Sequence, residues 1–225
     1  MTNAPAPQIV GVIFSGADLR RAARLPNPPD LFEMRLDAFV DRLDALKTAI
    51  EKLRRPLIMT ARHPREGGAN QLALRERRAL LLQFLPHAAW VDIELRSARA
   101  LAAVWEKARA RHVRRIISFH DFSDTPSRAR LDRIAREAQS LGADILKIST
   151  RTDSPAQFDR LLKFFAATAP HIPVAAMGLG RLGEKSRVEL MRGGSVLNYA
   201  HLGKGSLPGQ PSLCELQRWA WGLGR

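Results

Sequence analysis

Lys147 stands in the middle of ADILKIST, residues 143–150, a run whose Ile and Leu residues mark a buried strand. With a period of two, Ile145, Lys147 and Ser149 share one face, and Asp144, Leu146 and Ile148 share the other. Burying an ammonium is costly, so a lysine in such a strand points to a use. An apolar setting near other cations favours the neutral amine, which attacks a ketone or aldehyde to form a Schiff base. The protonated imine then draws electrons from the neighbouring carbon and eases a β-elimination or a carbon–carbon cleavage. That chemistry needs a base beside the same carbon. His120 closes the run RRIISFH (114–120), one strand before the lysine, and neighbouring strands lie ~4.8 Å apart. A carboxylate is needed to orient the imidazole and stabilise its charged form, and Glu66 in HPREGG is the candidate. Arginine forks suit a substrate carboxylate.

The elements that must position these groups repeat along the chain. Short apolar or β-branched runs fall at 8–15, 30–38, 56–62, 90–96, 114–120, 143–150, 171–178 and 195–202, with amphipathic helical segments such as LRERRALLLQFL and RARLDRIAREAQSLG between them. Alternating strands and helices imply βαβ units and a parallel sheet, and eight units in a chain of 225 residues suit a closed (β/α)8 barrel. An open doubly wound sheet is the second choice, but FSGADLRR after the first strand lacks the glycine fingerprint of that fold. No linker or low-complexity segment interrupts the pattern, so one domain over 1–225 is expected, with 1–7 as a flexible tail.

In such a barrel the site lies at the C-terminal strand ends. Those ends carry Glu33, Arg35 and Asp37 after strand two, Arg62 after strand three, Asp92, Glu94 and Arg96 on strand four, and Ser118 and His120 on strand five. The loop after strand seven brings Ser186 and Arg187, and the loop after strand eight brings Ser206 and Gln210. Any one of these taken alone is usually a salt bridge or a solvated tip, and Lys147 could simply pair with Glu33 or Glu94. Five or six strands delivering ionisable groups to one end is a desolvation cost that a purely structural barrel has little reason to carry.

Composition narrows the classes. The formal net charge is +14, but the basic residues recur at helical spacing in LRRAAR, RERRALLL and SRARLDRIAREA, as solvated outer faces of separate helices rather than one nucleic-acid patch. No apolar run approaches the ~20 residues that span a bilayer, and MTNAPAPQ is no secretory signal. The single cysteine, Cys214, excludes an internal disulfide, fits a cytoplasmic location and reads as a helix packing residue. No P-loop, dinucleotide fingerprint or paired metal-ligand spacing occurs among the six histidines, so neither cofactor nor metal is expected.

In order along nearly the whole chain, FEMRLD, IMTARHPREGG, VDIE, SFHDF followed by TP, ADILKIS, MGLGRLGEKSR and GSLPGQ resemble type I 3-dehydroquinate dehydratase. The resemblance implies syn dehydration of 3-dehydroquinate to 3-dehydroshikimate in the shikimate pathway, through an imine on Lys147. It implies that His120 removes the C2 proton and helps water leave from C1, that Glu66 positions His120, and that Arg187 binds the substrate carboxylate. Glu33, Arg35 and Arg62 would hold the ring hydroxyls, with Ser206 and Gln210 on a closing loop. A homodimer is implied, without membrane or nucleic-acid partners. The chain departs from the family in its short N-terminus, which leaves little room for a capping hairpin, and in Met34, expected to point away from the barrel axis. A class I aldolase-type barrel and a non-catalytic anion-binding barrel are the alternatives; the histidine of SFHDF argues against the first, and the completeness of the set against the second.

Overall fold

Strands covered on both faces read as near-continuous apolar runs, and all eight runs of this chain become strands. The structure, a computed structural model, describes residues 7–203, 205 and 208–222. Residues 1–6 of the expected tail, where the sequence leaves little room for a capping hairpin, and Ser206 lie outside the described residues. The strands are β1 (Gln8–Ile13), β2 (Leu31–Arg35), β3 (Leu57–Thr60), β4 (Trp90–Glu94), β5 (Arg114–Asp121), β6 (Ile145–Arg151), β7 (Val174–Leu179) and β8 (Leu197–His201). Between and after them run α1 (Gly16–Ala22), α2 (Leu43–Ile50), α3 (Leu74–Phe84), α4 (Ala102–Ala110), α5 (Arg128–Ser140), α6 (Pro155–Thr168), α7 (Gly183–Arg192) and α8 (Leu213–Trp221).

Each strand pairs in parallel with the next, and β8 returns to pair with β1. Only the β7–β8 seam lacks a ladder among the described residues. It is stitched instead by Val196 N–H donating to Val174 O at 3.0 Å and by Ser195 Oγ accepting from Ala176 N–H at 3.1 Å. The seventh strand starts at Val174 rather than 171, because the N–H groups of His171 and Ile172 are spent closing the end of α6 on Thr168 O.

Local sequence sets the helix ends. Ser154, Pro155 and Gln157 start α6 with a capping box, and Ser212 with Glu215 does the same for α8. Leu131, Ile134, Ala135 and Ala138 form the buried stripe of α5. On the outer faces Arg109–Glu106, Arg128–Asp132 and Lys163–Asp159 form pairs three or four residues apart, as the basic pattern implied. Cys214 corrects an expectation: it is exposed. The buried stripe of α8 is Leu213, Leu216 and Ala220, and Cys214 falls one residue, ~100° of rotation, off it.

Two apolar layers hold the barrel. Met34, with Phe32, Ile93, Leu146 and Ile148, packs outward beneath the helices, as expected for Met34. Inside, Val10, Leu31, Ile58, Trp90, Ile116, Ile145 and Leu197 fill the lower barrel. The polar residues of the same strands lie above this plug, at the strand C-termini.

Close backbone approach makes Gly178, on β7, intolerant of a side chain. A Cβ there would collide with Ser186 Oγ and lie 2.9 Å from Thr152 Oγ1, both on buried residues that cannot swing away. Gly178→Ala is expected to cost ~1–3 kcal/mol. Thermal unfolding checks this; a melting temperature equal to that of the parent would contradict the packing described.

Candidate active site

Thirteen of the side chains that line one cavity of about 220 Å³ come from strand ends and the loops above them, and Lys147, His120, Glu66, Glu33, Arg35, Arg62, Arg187 and Gln210 are all among its lining residues. Ser118 on β5 pairs in register with Lys147 on β6, and His120 with Ser149, so the imidazole stands one inward position above the amine. The two share a face on neighbouring strands, as the alternation required.

The surroundings of Lys147 are not apolar. Its Nζ donates to Glu33 Oε1 and to Asp92 Oδ2, each at 3.0 Å, and lies 3.9 Å from the centroid of the Tyr199 ring. Of the two partners the sequence offers, Glu33 pairs with Lys147 and Glu94 does not. Glu94 spans Arg62 at 3.1 Å and Arg77 of α3 at 3.0 Å and accepts from His63 N–H at 2.8 Å. Asp92, one inward position below it on β4, takes the lysine.

Arg62 is the hub of this buried network. It grips Asp92 with both Nη atoms, at 3.0 and 2.9 Å, and donates to Ser118 Oγ at 2.7 Å and to Glu94. Burial opposes its charge, but Asp92, Glu94 and Glu33 outweigh that and hold the guanidinium well above its ordinary value. Asp92 likewise resists burial, because Arg62 and Lys147 keep it far below the usual carboxylate range. Arg35 forks onto Asp37 at 3.0 and 2.8 Å and donates to Gly67 O at 2.7 Å, which ties strand two to the loop carrying Glu66. Gly67 has φ 85° and sits under Phe122, so this turn needs a residue without a side chain.

Glu66 occupies a 3-10 turn, Pro64–Glu66, after β3. Its Oε2 lies 2.9 Å from His120 Nδ1 and accepts the His120 backbone N–H at 3.0 Å, while Oε1 pairs with Arg96 at 2.8 Å. The imidazole is held well below its ordinary value by burial and by the charges of Arg62 and Lys147, so the ring is neutral near pH 7. Neutral and donating from Nδ1 to Glu66, it leaves Nε2 with a free lone pair. Glu66 itself is raised to about 7, by burial and by the charge of Glu94.

Arg187 and Ser186 lie on α7, not in the loop read from the sequence. Arg187 is buried and donates to two backbone carbonyls, Gly178 O and Tyr199 O, each at 3.2 Å. Among the described residues it pairs with no carboxylate. Burial lowers it to about 10, so it remains a cation at neutral pH. Gln210 lines the same cavity. Sequence reasoning had Asp92 on the inward face of strand four but gave it no task, and it passed over Tyr199 and Arg77. Alternation on β8 would have placed Tyr199 inward; nothing in the spacing tells that Arg77 reaches from α3 to Glu94 at the end of β4.

A family model described as type I 3-dehydroquinase matches residues 16–220. The 3-dehydroquinate dehydratase of Methanothermobacter thermautotrophicus is 36% identical over 183 residues, covering 80% of this chain and 79% of that one. A bifunctional 3-dehydroquinate dehydratase/shikimate dehydrogenase of Arabidopsis thaliana is 33% identical over 192 residues, 83% of this chain and 32% of that protein. Among solved structures, the 3-dehydroquinate dehydratase of Geobacillus kaustophilus superposes with a TM-score of 0.87 at 28% identity, covering 96% of this chain and 91% of that one. The type I enzyme of Clostridium difficile, solved with covalently modified comenic acid, gives 0.85 at 25% identity, covering 98% and 94%.

Proposed function

Because the chain belongs to the type I 3-dehydroquinase family, we propose that it removes water from 3-dehydroquinate to give 3-dehydroshikimate, through an imine on Lys147. The observation that carries this reading is the convergence of an amine, a neutral imidazole coupled to a carboxylate, and an acid-free guanidinium on one cavity.

Lys147 Nζ attacks the ketone carbon, a C–N bond forms, and the carbonyl oxygen leaves as water. The iminium acidifies the adjacent carbon. His120 Nε2 takes that proton, the electron pair moves toward the imine, and the hydroxyl on the next carbon departs as water with the proton His120 carries. Hydrolysis of the conjugated imine frees the product and restores Lys147, so the net change is loss of one water. Arg187 binds the substrate carboxylate, for which a buried cation without an acidic partner is suited. Glu33 lines the cavity and its Oε2 has no partner among the described residues, which supports a hydrogen bond to a ring hydroxyl. Arg35 and Arg62 hold that wall in place. Incubation with 3-dehydroquinate should produce the ultraviolet absorbance of a conjugated enone; a protein that leaves the substrate unchanged refutes the reading.

Glu66 gives the reaction a pH dependence. Its folded value, about 7, lies above its ordinary 4.5. Between those two values the folded chain binds a proton that the unfolded chain has released, so stability from the protonated form declines as pH rises through that window. Catalysis runs the other way, since the ionised Glu66 holds the Nδ1–H of His120 and stabilises its charged form. Turnover should therefore climb as pH passes about 7. Glu66→Gln should lose that limb and drop the plateau roughly tenfold to hundredfold, part of the ~10²–10⁴ attributable to a general base. A pH–rate profile that keeps the same limb in the variant would assign the titration to another group.

A further inference from the structure

Tyr199 is the chain's one tyrosine, and its hydroxyl is buried with no hydrogen-bond partner among the described residues. A buried unpaired hydroxyl costs stability that phenylalanine would not. Its ring nevertheless lies against the reacting amine, 3.9 Å from Lys147 Nζ to the centroid. Lys147 in its charged form has three N–H bonds, and the geometry accounts for each: one to Glu33 Oε1, one to Asp92 Oδ2, one toward the ring face.

An iminium nitrogen keeps a single N–H, so imine formation takes at least one donor away from the two carboxylates. They do not lose equally. Asp92 keeps both Nη atoms of Arg62 and the Ser118 hydroxyl at 2.5 Å. Glu33 Oε1 keeps only Thr60 Oγ1 at 3.1 Å and a long contact to Arg62 at 3.5 Å. We infer that Tyr199 is a positioning residue whose hydroxyl donates to Glu33 when Lys147 carries substrate, replacing the bond that the amine gives up. The inference rests on the imine reading above. The hydroxyl is a donor at working pH, because burial and the charges of Glu33 and Asp92 hold it well above its ordinary value. The unpaired hydroxyl of the resting site is then a bond held in reserve for the covalent state.

Tyr199→Phe keeps the ring and removes only the oxygen. Imine formation, followed by borohydride quenching in a single turnover, should slow roughly tenfold or more, the worth of a hydrogen bond to a charged group. The melting temperature should stay level or rise, and the substrate concentration for half-saturation should change less than the rate. With one tyrosine in the chain, a 13Cζ-tyrosine label gives one resonance, which should shift when the parent protein is saturated with 3-dehydroquinate. An unchanged trapping rate in the variant, or an unmoved resonance in a parent protein that does form the adduct, overturns the inference alone. A parent protein that forms no adduct on Lys147 overturns the imine reading and this inference with it.

Discussion

Lys147→Met is expected to abolish turnover, by on the order of 10⁴–10⁶, the range seen when a covalent nucleophile is removed. The parent protein treated with borohydride during turnover should carry a substrate-derived adduct on the peptide containing Lys147, and the variant none. Methionine fills most of the lysine's volume but supplies no donor, so the substitution also removes a cation from between Glu33 and Asp92. Removing one partner of a buried pair commonly costs ~3–5 kcal/mol. Here the charge left behind is partly met, since Arg62 stays bonded to Asp92 at 2.9 Å. Circular dichroism should therefore show a folded variant with a lowered melting temperature. Product formation within tenfold of the parent, or an adduct on another residue, would remove Lys147 from the chemistry.

The two carboxylates against Lys147 change what the resting site is. An amine among aliphatic side chains would be neutral because nothing solvates its charge. This one is held between Glu33 and Asp92, in a network in which the acids beside it also serve Arg62. Arg62, gripped by Asp92, Glu94 and Glu33, fixes those acids in place. The arrangement supplies position: Nζ is held by two bonds and a ring face before substrate arrives, and preorganisation of that kind lowers the entropy cost of the reaction.

Much of this was legible in the chain because two periodicities carry it. Period two fixed which residues of ADILKIST and RRIISFH face the axis, and the structure has Lys147 and His120 there in adjacent register. The alternation of strand and helix gave the barrel. What escaped was long-range and three-dimensional. Whether Asp92 or Glu94 reaches the lysine depends on stagger between strands, since Glu94 is level with Ser118 in the β4–β5 register and Asp92 with Ile116, one inward position lower. Arg187 looked like a loop residue because Gly178 and Gly180 precede it, yet the chain re-enters a helix at Gly183. Cys214 looked buried because cysteine usually is. The open β7–β8 ladder, bridged by the Ser195 side chain, has no signature in an unaligned sequence.

His120→Ala should lower turnover by ~10²–10⁴ or more, while borohydride still traps an adduct on Lys147. The separation of the two effects follows from geometry. Lys147 takes its positioning bonds from Glu33 and Asp92, not from His120, so the amine keeps its place when the imidazole is gone. Proton removal from the carbon beside the imine has no second imidazole among the residues that line the cavity; of the acids there, Glu33 is paired with Lys147 and Arg62, and Glu66 with Arg96. Adduct should therefore accumulate ahead of a blocked step. Glu66 would lose the Nδ1 partner at 2.9 Å but keep Arg96 at 2.8 Å and the backbone N–H of residue 120 at 3.0 Å, so the loop it anchors should hold. The ring is buried but lines the cavity, so its removal leaves a space open to it, and added imidazole should restore part of the rate. Turnover in the variant close to that of the parent would show that another group moves the proton. Loss of trapping along with turnover would instead make His120 indispensable to imine formation itself.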